Sequence, residues 1–188
     1  MAHHNELGKI GEQLAAEYLL KNGYPKPVVN KIAKISERIL DSAGDPRRKG
    51  AWARKGMVIG DVQSGKTANY TAVLSRAVDA GYKVIVVIAG IHNNLRSQTQ
   101  ARIDEGLSGL DSTLALLKKP TSVGVGKIRR ITPSMVSLTN TESDFNTTSI
   151  KSVAGAPLTG FAGPVVFVIK KNKWTLTRLI EWLKAHNA

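Results

Sequence analysis

Val58-Ile59-Gly60-Asp61-Val62-Gln63-Ser64-Gly65-Lys66-Thr67 is the run on which the reading of this chain turns. It closes in the pattern GxxxxGKT, which can cradle the phosphates of a nucleotide. Gly60 and Gly65 let the backbone turn tightly, so that successive amides, those of Asp61, Val62, Gln63 and Ser64 among them, point at one anion. A helix opening near Lys66 adds its positive dipole end. In such a loop Lys66 reaches the β- and γ-phosphates, and Thr67 places a hydroxyl on Mg²⁺. The plain alternative is a strand-to-helix turn that needs two glycines and happens to carry Lys-Thr.

The flanks favour the cradle. GMVIG (56–60) reads as a short buried strand, and TANYTAVLSRAVDAG (67–81) as a helix closed by Gly81. KVIVVIAG (83–90) comes next as an apolar, β-branched run of strand length, then NNLRSQTQARIDEGL (93–107) as another helix. This β-loop-α-β-α alternation is expected of a parallel sheet covered by helices.

Ahead of the loop, NELGKIGEQLAAEYLLKNGY (5–24) reads as a helix. Its Leu7, Ile10, Leu14, Ala15 and Tyr18 recur at three- and four-residue steps, and Asn22-Gly23 supplies a stop. Pro25 and Pro27 break the chain. VVNKIAKISERILDSA (28–43) is a second amphipathic helix, with Val28, Ile32, Ile35, Ile39 and Leu40 on one face. Gly44-Asp45-Pro46 ends it, and RRKGAWARKG (47–56) is a basic connection.

Beyond the alternation, the stretch 118–163 is rich in Thr, Ser, Gly and Pro, and one strand is expected there, around 135–138. PVVFVIKK (164–171) is a further apolar strand. WTLTRLIEWLKAH (174–186) is a helix expected to turn Leu176, Leu179, Ile180 and Leu183 inward.

Composition bounds the rest. A length of 188 residues suits one α/β domain, or one domain with an appendage, and 42 % hydrophobic residues permit a real core. There is no cysteine, so disulfides and thiolate metal sites are excluded, which fits a cytoplasmic protein. No apolar run reaches the length of a membrane span, and the opening MAHHNELGKIGEQ lacks the apolar core of a signal peptide. Lys and Arg number 27 against 14 Asp and Glu, a net charge of +13 that favours a polyanionic partner, nucleic acid foremost.

Hydrolysis of a nucleotide needs an acid at the end of a later apolar strand, to orient Mg²⁺ and polarise water. KVIVVIAG ends in Ala-Gly and PVVFVIKK in lysines. Asp104-Glu105 falls in a helical pattern and reads as readily as a solvated pair as a catalytic one. Arg129-Arg130 could serve as lid residues of a small kinase, but no Asp is positioned as its base. The catalytic residues are therefore unassigned.

Three further stretches, with the loop and its flanks, carry a family resemblance. They are AGIHNNLRSQTQARIDEG (89–106), SLTNTESDF (137–145) and PVVFVIKKNKWTLTRLIEWLK (164–184). Together they resemble, over about residues 25–187, the opening part of the Z-one domain family. These are large bacterial proteins described as endonucleases, with a helicase-like ATPase of the superfamily-two type. The resemblance implies ATP and Mg²⁺ as cofactors and DNA as a partner. It implies that IHNNLRSQTQ occupies the place of helicase motif Ia, where His92, Asn93, Asn94, Arg96 and Gln98 contact a nucleic-acid strand. Such donors suit phosphate oxygens at a helix start; Asn93 and Asn94 capping the helix, with Arg96 solvated, is the competing reading. Lys170, Lys171 and Lys173 could touch a backbone or form a solvated edge. Thr139, Thr141, Ser143 and Asp144 match a family motif of no derivable role.

In the family an acidic strand comes after the helix that here ends in KAHNA. The expected fold is therefore α/β: a RecA-like P-loop NTPase sheet, parallel, with flanking helices, stopping before the Walker B strand and preceded by two N-terminal helices. The expected divisions are 1–24, 25–55 and 56–188. Residues 1–24 resemble the first helix of YraN-like nuclease-fold proteins, in which Glu12 would approach a metal, although the strands bearing the other ligands are absent. A lobe cut short in this way implies hydrolysis deficiency alone, a partner chain supplying missing motifs, or self-association. A non-enzymatic basic module that binds nucleic acid or protein is the alternative.

Overall fold

Pro25 and Pro27 start a helix here as well as ending a loop. Pro25 stands at the N-cap with φ −60° and ψ 139°, and Pro27 falls in the first turn, where a missing N–H costs nothing. In this computed structural model, residues 10–59, 65–116, 119–128, 135–146, 158–161 and 163–186 are described. The chain divides into two compact units, Met1–Tyr82 and Lys83–Ala188.

Among its described residues the first unit contains three helices: α1 (Ile10–Lys21), α2 (Lys26–Ala43) and α3 (Lys66–Ala80). Their shared core is Leu19, Val29, Ile32, Ala68 and Ala72, with Ala16 and Tyr24 packed against it. The small side chains of Ala68, Thr71, Ala72 and Ser75 make α3 the buried member of the three. Val29 takes the inward place expected of Val28, which is exposed, because the buried stripe of α2 runs through Val29, Ile32 and Ser36 at three- and four-residue steps.

The stretch expected as the strand before the loop is not one. Residues 51–59 carry no regular structure, and Met57, Val58 and Ile59 are 84 %, 62 % and 87 % exposed. Apolar, β-branched residues make a strand only where a ladder and a covering layer receive them. Here they line an open groove of about 840 Å³ beside Ile35 and Ile39 of α2.

The second unit holds a three-stranded parallel sheet in the order β1-β3-β2, formed by β1 (Val84–Ile88), β2 (Val136–Ser137) and β3 (Val165–Ile169). Val84 pairs with Val165 and Ile88 with Ile169, while Val136 also stands opposite Val165. Every residue of the central strand β3 is buried, as a strand covered on both faces requires. Its alternate residues Val165, Phe167 and Ile169 join Leu138, Phe145, Leu179 and Trp182 in one core. Phe145, Phe167 and Trp182 meet edge to face, with centroids 5.1, 5.2 and 6.2 Å apart. In α6 (Lys173–His186) Leu179 and Trp182 point inward, whereas Ile180 is exposed, contrary to expectation. Trp182 lies three residues beyond Leu179 and carries the buried stripe on, so Ile180 falls outside it.

Between the strands, α4 (Asn93–Ile103) runs into one π-helical turn at Asp104–Ser108, followed by α5 (Ser112–Leu116) and a 3₁₀ turn at Gly124–Lys127. This corner is tight. A Cβ on Gly126 would overlap the Gly109 carbonyl, and one on Gly124 would overlap the Glu105 carbonyl. The molecule is thus mixed α/β with a small parallel sheet.

Candidate functional site

The phosphate-loop pattern lies in the first unit, and its residues 60–64 fall outside the described ones. Helix α3 begins directly after them. Gly65 is its N-cap, in the left-handed region at φ +74°, and an added Cβ would meet nothing within 4 Å. A glycine is needed because that conformation strains any residue with a side chain. Lys66 is exposed and Thr67 half-buried in the first turn. A glycine N-cap delivering Lys-Thr to a helix start fits a phosphate group. The absent strand at 56–59 does not fit it equally well, since a phosphate loop ordinarily hangs between a sheet strand and its helix. Among the described residues no cluster of three or more His, Asp or Glu could hold a metal ion.

The N-terminal helix is joined to α3 by charge. The Asp79 carboxylate accepts from the backbone N–H groups of Gly11 and Glu12, each at 3.0 Å, and so caps α1 from outside. Arg76 donates to Glu12 Oε1 at 2.5 Å, to Ser36 Oγ at 3.0 Å and to the Ala33 carbonyl at 3.1 Å, tying the three helices together. Glu12 is therefore engaged in packing. Burial pushes the Asp79 carboxyl above its usual range, against the two backbone hydrogen bonds that lower it.

The second unit gathers polar groups at the carboxyl edge of its sheet, the edge where ligands of parallel α/β sheets bind. The Ala89 N–H donates to the Ile169 carbonyl at 2.9 Å, and the Lys171 N–H to the Gly90 carbonyl at 2.6 Å. These bonds set the segment 90–94 beside 170–174. His92, Asn93, Asn94 and Gln98 are all exposed there, with His92 at the N-cap of α4. No side chain caps this helix, so the capping role is not the one Asn93 and Asn94 play.

Arg96 is placed differently from the surface contact expected of it. It is 2 % exposed, and its guanidinium donates to the carbonyls of Asn140 at 2.7 Å and Thr141 at 2.9 Å. Its Nε is buried with no hydrogen-bond partner among the described residues. Burial lowers its pKa, partly opposed by Asp144. Arg96, Gln100 and Ile103, at i, i+4 and i+7, make up the buried face of α4, so the side chain turns under the helix and not out of it.

That contact also gives SLTNTESDF its physical role. Gln100, fully buried, donates through Nε2 to Asp104 Oδ1 at 2.9 Å and to Ser137 Oγ at 3.1 Å. Its Oε1 accepts from Thr139 Oγ1 at 2.7 Å, and that hydroxyl accepts from the Val168 N–H at 2.8 Å. Thr141 meets Thr113 at 2.7 Å, hydroxyl to hydroxyl. Asn140 Oδ1 accepts from the amides of Glu142 and Ser143, folding the turn, and the Ser143 carbonyl accepts from the Asn140 N–H at 3.1 Å. Asp144 Oδ2 accepts from the Lys170 N–H at 3.3 Å, at the end of β3. The segment is a polar clasp that fastens α4 to the sheet.

Asp104, for which the sequence leaves a solvated and a catalytic place equally open, is 4 % exposed and anchors this clasp, whereas Glu105 is exposed. Its Oδ2 accepts from the Ser112 N–H at 2.9 Å and Oγ at 2.6 Å. Burial nevertheless pushes its carboxyl above the usual range, with Asp111 adding to the rise and the bonds from Ser112 and Gln100 opposing it. Arg129 and Arg130 lie outside the described residues. No helix among the described residues is long and apolar enough to cross a membrane. Comparisons with protein-family models, with curated proteins and with solved structures give no match to this chain.

Proposed function

We propose that this chain is a nucleotide-binding, nucleic-acid-contacting part of a helicase-like ATPase of the Z-one type, binding ATP with Mg²⁺ and deficient in hydrolysis by itself. The observation that carries this reading is Gly65 in the left-handed conformation, opening α3 with Lys66 and Thr67 as its first residues. Lys66 supplies the cation for the phosphates and Thr67 the hydroxyl for the metal ion. The deficiency rests on the strand ends: β1 runs into Ala89 and β3 into Lys170, where an acid would be needed. The basic net charge and the exposed His92, Asn93, Asn94 and Gln98 support DNA as the partner.

Calorimetric titration with ATP and Mg²⁺ tests the first half. Binding lost in Lys66→Ala, and made independent of Mg²⁺ in Thr67→Ala, is the expected result. Absence of binding by the unaltered chain refutes it. Steady-state turnover that Lys66→Ala abolishes would refute the deficiency alone.

The exposed Met57-Val58-Ile59 favours a second reading, a basic module that binds nucleic acid or a protein without using a nucleotide. It predicts oligonucleotide binding that weakens steeply with salt and is unchanged in Lys66→Ala.

A further inference from the structure

Trp174 is the exposed tryptophan of this chain. Of its three tryptophans, Trp182 is buried in the aromatic core and Trp52 is half-buried, while Trp174 is 73 % exposed. It does not belong to the apolar stripe of α6. It shares the solvent face with Thr177, Arg178 and Glu181, at the i+3, i+4 and i+7 positions. An exposed indole next to the exposed Lys171 and Lys173 suits a partner with a flat apolar face and negative charge.

The backbone beneath it is fixed. Asn172 Oδ1 accepts from the N–H groups of Trp174 at 2.9 Å and Thr175 at 3.4 Å, capping α6. One residue earlier, the Lys171 bond to Gly90 ties the same turn to the end of β1. Lys171 and Lys173 flank the turn and are exposed, and Lys170 is half-buried. The carboxylate of this edge, Asp144, is turned to backbone amides, Oδ1 to its neighbour Phe145 and Oδ2 to Lys170. Across the turn lie the exposed Ile91, Asn93 and Asn94.

We infer that Trp174 is a stacking platform for an unpaired base, and that Lys171 and Lys173 hold the phosphates on either side of that base. The surface therefore takes a single strand and not a duplex. Base stacking on an aromatic side chain is open to any base but needs that base out of the helix. The charge pattern matches: Lys171 and Lys173 are exposed within three residues of the ring, Asp144 is bonded to backbone, and Glu181 stands two helical turns away at i+7. The backbone that carries the ring is already fixed, so little backbone ordering cost is incurred on binding. This inference rests on the nucleic-acid half of the proposed function and names the strand state and a contact residue.

Fluorescence anisotropy of a labelled oligothymidylate, and of its duplex with oligodeoxyadenylate, tests it with the full chain. The unaltered protein should bind the single strand more tightly than the duplex. Trp174→Ala should weaken single-strand binding about tenfold, and Trp174→Phe should restore most of it. The slope of log affinity against log salt should be unchanged in both variants. In Lys171→Gln with Lys173→Gln that slope should fall by about 1.4, from about 0.7 per lost phosphate contact on a single strand. A thermal transition matching the unaltered chain confirms that each variant folds, as expected for an exposed side chain. Unchanged affinity in Trp174→Ala, or equal affinity for duplex, overturns the platform and leaves the nucleic-acid reading standing. No binding of either oligonucleotide by the unaltered chain overturns that reading itself.

Discussion

Arg96 and Asn140 are joined inside the protein, guanidinium Nη1 to backbone carbonyl at 2.7 Å, with Thr141 taking the second arm of the fork. A residue that reads as a surface contact is thereby a structural strut. Arg96→Ala strands two carbonyls, at least one of them buried, and should cost about 2–4 kcal/mol of stability. Arg96→Lys should recover little, because an ammonium cannot span both acceptors in the plane of the fork. Urea denaturation measures both. A variant as stable as the parent but unable to bind oligonucleotide would return Arg96 to the surface.

The raised carboxyls set a pH dependence. Asp104 and Asp79 both have folded-state pKa values above the unfolded one, through burial. The folded chain therefore binds protons more tightly than the unfolded one, and these groups make stability fall as pH rises from about 4 through the raised values, then level off. Denaturation midpoints recorded across that window should decline for the unaltered chain. In Asp104→Asn the decline should be shallower. The midpoint should also be lower at every pH, because the amide nitrogen would face either the Ser112 donors or the Gln100 donor, whichever way the amide is turned. A midpoint that instead rises with pH in the parent and not in the variant would reverse the assignment.

Residue patterns reach only part of this structure. The strands Val84–Ile88 and Val165–Ile169 were legible because apolar, β-branched runs of that length have few other uses. The helices on either side were legible from their three- and four-residue steps. Trp174 and Arg96 were not: each sits in a polar stretch where one helical step decides between solvent and core, and no pattern fixes that phase. The clasp around Gln100 was equally hidden. Its members lie 37 and 39 residues apart in the chain and meet only through the fold. Met57-Val58-Ile59 failed for the opposite reason, having the composition of a strand without its neighbours. The groove it forms with α2 depends on contacts that no local pattern encodes.

The bond between Arg76 and Glu12 makes the N-terminal helix a part of the first unit. Glu12→Gln removes one partner of a half-buried pair and should cost about 1 kcal/mol. Arg76→Ala removes bonds to α1 and α2 together and should cost about 2–3 kcal/mol. In the double variant the losses should fall short of additive, as they must for groups that share a bond. Additive losses would show that the pair contributes nothing to holding α1.

The exposed segment ahead of the phosphate loop gives the most direct test of the fold. Met57, Val58 and Ile59 face solvent for most of their surface, and adjacent exposed apolar residues with strand-forming side chains promote self-association. Val58→Lys with Ile59→Lys should therefore leave the stability within about 0.5 kcal/mol of the parent, as surface changes do. It should also lower the apparent mass in sedimentation velocity where the parent associates. If these residues instead formed a buried strand, two lysines would be driven into a core and the chain would unfold or precipitate. The two outcomes differ in sign for solubility, so one preparation of the variant separates an exposed segment from a sheet strand.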